Sequence, residues 1–259
     1  YQKLNEEKYI FRNLLYLILS SYVSPNFSVF VIYFFYHYFI NENFSLLLKY
    51  ILFCAILSIP AFYYLFVLDV NFLTAETPGS QQGEIIGLNF NFANKILIIS
   101  TIILFHLIPF LVNKSIYPDL KKIKKENFFI SFLIFFVCIF YFDYVLEYTG
   151  GGVFFQISAY FFKNNYLFYL ICLIAIIILC YFSYNNLNNF LIFFILIISN
   201  IQNTIYHKYY DPLILIIFFT IFSSYLSKSF LIKKNNIYYL YIFYIIFICM
   251  RLSKNYLYV

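Results

Sequence analysis

The stretch NTIYHKYYDPLILIIFF, residues 203–219, sets a His, a Lys, an Asp and three tyrosines between two apolar runs. An ammonium and an imidazole beside phenol donors are suited to hold a phosphate. His207 and Lys208 can pair with its oxygens, and Tyr209 can orient it. Asp211 and Pro212 also have an ordinary role, because Asp suits a helix cap and Pro the first turn that follows. His106, in LFHLIPF, lies deep in an apolar run, where a ring either hydrogen-bonds a neighbouring helix or serves as a ligand or proton relay. Asp69, in YLFVLDVNF, stands near the end of another run; such a carboxylate is a functional candidate at membrane depth and unremarkable at the interface. Asp143 and Glu147 are spaced to share one helix face, where they can meet a cation, a sugar hydroxyl or water. Glu76 and Glu84 sit in NFLTAETPGSQQGEIIGLNFNFAN, a loop longer than a plain connection needs.

Other chemistry lacks its motifs. There is no P-loop, HExxH or nucleophile elbow, and Gly150–Gly152 is a bare triplet that supplies flexibility. Cys54, Cys138, Cys172, Cys180 and Cys249 lie in apolar runs with no CxxC pair and no adjacent His, so they read as small buried hydrophobes. The expectation is no bound metal and no cofactor.

The elements that must position these residues are helices in a bilayer. Of 259 residues, 64% are hydrophobic and only 11% charged, which leaves too little polar surface for a soluble domain of this length. The apolar runs lack the period-2 alternation of a lipid-facing barrel, so helices are the spanning structure left. The pattern predicts an all-α, polytopic transmembrane bundle over residues 1–259, a single domain of about nine spans. These run over Ile10–Ile40 (two spans if SPN at Ser24–Asn26 is a turn, or one kinked helix), Leu46–Val70, Lys95–Val112, Phe128–Glu147, Tyr166–Phe182, Phe190–Tyr206, Pro212–Leu226 and Ile237–Met250. Tyr148–Asn165, aromatic and short, suits a helix lying at the membrane surface. The chain begins YQKLNEEKY without an initiator Met, which is the pattern expected of an N-terminally truncated fragment.

Charge orders the ends. The net charge of +6 is spread over short loops and reads as topology, with no nucleic-acid footprint. Five lysines in 113–127 and three in 228–236 place those loops in the cytoplasm of a multi-pass protein, in a bacterial inner membrane or the endoplasmic reticulum. Parity then puts 71–94, 148–165 and the HKYYD turn on the other face. No transporter-like repeat of Pro-broken spans is visible.

The order of these parts resembles the C-class membrane glycosyltransferases, which take sugar from a polyprenyl-phosphate donor on the non-cytoplasmic side. It is most similar to the branch adding the last glucose, in α-1,2 linkage, during dolichol-linked oligosaccharide assembly. The likeness covers roughly Gly83 to Phe219: a G…NF loop, a span ending HLIPF, a basic loop, an aromatic loop, and YHKYYDP before the next apolar run. The resemblance implies Lys208, Tyr209 and Pro212 in place of the family's RY…P segment, a polyprenyl-phosphate sugar donor and a lipid-linked or surface glycan acceptor. Glu76 and Glu84 are candidate acceptor contacts. It also implies a carboxylate base in a first outer loop upstream of residue 1. The family's early Arg-Gln pair is replaced here by SSYVSPN. A transporter or flippase of lipid-linked glycans is the alternative, and it requires ionisable residues at midplane. A polysaccharide polymerase would need outer-loop arginines, and the chain has only Arg12 and Arg251.

Overall fold

The computed structural model describes residues 7–23, 25–41, 44–68, 91–111, 124–145, 150–184, 186–200, 204–222 and 234–257. Among them there are helices and no strand, as the apolar runs demand. The chain opens with α1 (Glu7–Val23), a 3-10 segment (Pro25–Phe30) and α2 (Val31–Asn41). The break at Pro25 is therefore real, and α1 and α2 both pack on α3 (Phe44–Phe66), which runs through Pro60. Their apolar faces meet around Tyr38 and Tyr50, two rings almost fully removed from solvent.

The remaining helices are built around α4 (Phe92–Leu111). Asn91 starts it: its side-chain oxygen accepts from the Ala93 and Asn94 backbone N–H groups, at 3.0 and 3.4 Å. Buried residues make up 83% of α4's most apolar window but only 17% of that in α3, so α4 is the central post and α3 a peripheral one. Packed on α4 are α5 (Lys125–Phe140), α6 (Gly152–Phe162), α7 (Tyr166–Ser183), α8 (Leu187–Ile198), α9 (Asp211–Thr220) and α10 (Lys234–Leu257). Among the described residues three helices, α3, α4 and α7, are long and apolar enough to cross a membrane. The run expected over Phe190–Tyr206 leaves the helix after Ile198, and the run from Pro212 gives a helix ending at Thr220.

Half-length elements enter this bundle from opposite ends. α8 and α9 form a hairpin rooted near the end of α7: the Asn189 amide donates to Phe182 O, and the Asn188 amide donates to Ile221 O. At 12 and 10 residues they extend only about 18 and 15 Å. α6 comes from the other end, where the Phe168 N–H donates to Ser158 Oγ, and it reaches back to place Gly152 against Ile102. Gly151 N–H donates to Ile205 O at 2.9 Å, which joins the two intrusions midway along α4. The segment expected as a surface-lying helix is thus tucked against α4 and α7, with Phe155, Ser158 and Ala159 buried.

Candidate functional site

Where these intrusions meet, α4 presents His106 and the 3-10 turn His207–Tyr209 presents His207, with Asp211 opening α9. Asp211 Oδ1 lies 3.2 Å from His106 Nε2 and 2.9 Å from His207 Nε2. The side chain of His106 is fully buried, that of His207 is 13% exposed, and that of Asp211 keeps 32% of its surface. On the far side of His106, Tyr244 Oη of α10 stands 2.5 Å from Nδ1. Phe105, Phe243 and Phe247 close the cluster with rings 4.8–4.9 Å apart, and the His207 ring meets Phe105 edge-on at 4.9 Å. Inside this aromatic wall charge is poorly screened, so the carboxylate and its imidazoles act strongly on one another.

Distance and alignment disagree at this cluster. Both Nε2 atoms are within ion-pair range of one carboxylate oxygen. Yet His106 Nε2, both nitrogens of His207 and Asp211 Oδ1 are buried without a hydrogen bond of acceptable geometry. Asp211 was expected as a helix cap. Pro212 does occupy the first turn of α9, but the cap position is Tyr210, which makes no side-chain cap bond, and the Asp211 carboxylate turns to the imidazoles instead.

The expected phosphate-binding trio is divided by the turn. His207 faces inward, whereas Lys208 and Tyr209 are exposed. The Lys208 ammonium stands 4.9 Å from the Tyr206 ring centroid and 5.4 Å from that of Tyr209. Nor does the turn sit at the end of α4 where it was expected: His106 is about 21 Å along the helix from Phe92, the end that follows 71–94, and only about 7.5 Å from Leu111, the end that leads into 113–127.

No family model, curated protein or solved structure matches the chain. The resemblance to membrane glycosyltransferases therefore rests on the residues alone.

Asp143, expected on a helix face with Glu147 to meet a cation, a sugar hydroxyl or water, is exposed just past the end of α5 and also bonds two asparagines. Its Oδ1 accepts from Asn91 Nδ2 at 2.8 Å and Asn94 Nδ2 at 2.6 Å, and its N–H donates to Asn94 Oδ1 at 3.1 Å. This knot ties the end of α5 to the start of α4. Asp143→Ala strands the Asn94 amide, which is 3% exposed, and should cost about 1–3 kcal/mol while leaving function intact. Thermal unfolding followed by labelling of buried Cys172 would read it. Asp69, Glu76, Glu84 and Glu147 lie outside the described residues, as do most of the two Lys-rich loops.

Sequence reading missed Tyr244, Phe243 and Phe247, taken only as parts of a span. Their spacing puts all three on one helix face, but nothing local says which helix that face meets.

Proposed function

We propose that the protein is an integral, multi-pass membrane glycosyltransferase that moves a sugar from a polyprenyl-phosphate carrier to a lipid-linked or surface glycan. The supporting observation is the state of Lys208. Asp211, the acid closest to it in sequence, is engaged by two imidazoles, which leaves an exposed ammonium framed by the Tyr206 and Tyr209 rings. A cation so held, with phenols beside it, can take the carrier phosphate and stabilise the charge that grows on it as the sugar leaves. The reading follows the resemblance in giving inverting chemistry, with the acceptor hydroxyl activated by a carboxylate base.

One observation favours a second reading, a transporter of lipid-linked glycans. α8 and α9 are each too short for a hydrocarbon core of about 30 Å, so in a bilayer the Gly150–Gly152 turn, the 204–210 segment and with them His106, His207 and Asp211 would lie at membrane depth. Interrupted helices of this kind build midplane sites in transporters.

Vesicles containing the full-length protein and a radiolabelled polyprenyl-phosphate sugar separate the two. A transferase forms a new glycosidic product, and Lys208→Ala should lower that rate by about 100-fold, the loss of one charge-stabilising donor. Unaltered donor moved across the vesicle wall, with no product, would establish the transporter. Full transfer by Lys208→Ala would remove the phosphate role.

A further inference from the structure

We propose that His106, His207 and Asp211 hold one divalent transition-metal ion of the zinc class, a site that goes beyond the transferase reading and does not depend on it. The sequence offers no metal motif because the ligands come from α4, the 3-10 turn and the start of α9, and only the fold brings them together.

Geometry is the first argument. Each residue offers one donor atom, and the three atoms lie within 4.8 Å of one another. Zinc bonds of about 2.0–2.2 Å at tetrahedral angles separate ligand atoms by about 3.4 Å. The two imidazole-to-carboxylate separations, 3.2 and 2.9 Å, need to open by a few tenths of an ångström, and the wider imidazole-to-imidazole pair, within 4.8 Å, has to close as the rings turn onto the ion.

Proton accounting is the second. If the His106 Nδ1–H donates to Tyr244 Oη, its Nε2 carries a lone pair aimed at a carboxylate oxygen. Two acceptors at 3.2 Å in a buried place repel each other unless a cation lies between them. The opposite tautomer would send Nε2–H to Asp211, but that contact lacks the alignment of a hydrogen bond. His207 Nε2, 2.9 Å from the same oxygen, is likewise unsatisfied. Three of the orphaned polar atoms, His106 Nε2, His207 Nε2 and Asp211 Oδ1, converge as the donors of a cation site would.

The donor set selects the metal. Two imidazoles and one carboxylate suit zinc, cobalt or iron, whereas magnesium and calcium take oxygen ligands. Tyr244 supplies the outer-shell bond that fixes ring and tautomer at metal-binding histidines. Three protein ligands leave a fourth position open, the arrangement of a site that binds water or substrate. The partial exposure of Asp211 gives the ion its way in.

The test uses the full chain in detergent, stripped with chelator and then titrated with Zn2+ and, separately, Co2+. One equivalent of Zn2+ is expected, together with a visible Co2+ spectrum of a low-coordinate nitrogen and oxygen site without a thiolate band. Tyr244→Phe should weaken Zn2+ binding by roughly 10- to 100-fold. His207→Ala and Asp211→Asn should weaken it further still. Glu126→Gln, which alters a carboxylate bonded to Tyr184 Oη, should leave binding unchanged. The proposal is overturned if the wild-type chain takes up no Zn2+ or Co2+, if the cobalt spectrum shows thiolate ligation, or if the His207 and Asp211 variants bind as tightly as wild type. The wild-type cobalt spectrum decides the matter even if a variant fails to fold. Sugar transfer is not read in this experiment, so failure of the transferase reading leaves it untouched.

Discussion

Asp211→Ala should lower stability by about 3 kcal/mol in metal-free buffer and abolish function. Removing one partner of a buried ionic cluster costs about 3–5 kcal/mol, because the groups left behind keep their desolvation penalty and lose their counter-charge. The low end applies here, since the Asp211 side chain retains 32% of its surface and water can reach the gap. What remains is a fully buried His106 ring whose centroid lies 5.2 Å from that of His207, with no anion for either to face. A second variant separates stability from purpose. Replacing the set together, as His106→Leu, His207→Phe and Asp211→Leu, should recover most of the lost stability, because an apolar core of similar volume needs no charge compensation. Function should stay absent. Thermal unfolding, followed by a thiol-reactive fluorophore that reports exposure of buried Cys172, would measure both. If the triple substitution were the less stable of the two, the cluster would be a structural element and not a site retained at the expense of stability.

The parts of this site differed in how far the sequence revealed them. His207, Lys208 and Asp211 stand out because polar residues are rare between apolar runs, and Pro212 marks a helix start by its missing N–H. The partner of Asp211 is not a local property. Capping is the nearest use for an Asp before Pro, and only the approach of α4 supplies two imidazoles that compete for the carboxylate. His106 was visible as a ring in apolar surroundings, with its role left open between ligand and hydrogen-bonded core residue. Helix length was the other gap. Residues 190–198 are apolar but 199–204 read SNIQNT, so the polar break at which the chain leaves α8 is visible in the sequence, and the span expected over Phe190–Tyr206 runs past it. Whether an apolar run spans or turns back depends on what it packs against, and here the glycine turn before α6 occupies the space that a full-length helix would need.

Gly150→Ala should therefore damage a site in which Gly150 takes no part. Gly150 has φ +115°, a backbone conformation that an L side chain rarely adopts, and a Cβ there would come 2.6 Å from Ile205 O and 3.3 Å from Tyr144 Oη. Strain of this kind costs about 1–3 kcal/mol. Its larger effect is directional. The Ile205 backbone is held on both sides, its carbonyl accepting from Gly151 N–H and its N–H donating to Tyr144 Oη. A methyl group at Gly150 pushes that carbonyl away, and His207 and Lys208 follow two and three residues later. Displacing a functional group by about 1 Å costs on the order of 100-fold in rate, so transfer should fall by about that factor and metal uptake should weaken with it. Tyr144→Phe makes the useful contrast. It removes one hydrogen bond to the same N–H without forcing the backbone to move, and should cost about 1 kcal/mol with little change in either readout. Equal losses from the two variants would mean that the clamp acts through general stability. A loss confined to Gly150→Ala would show that the close backbone approach itself sets the position of His207.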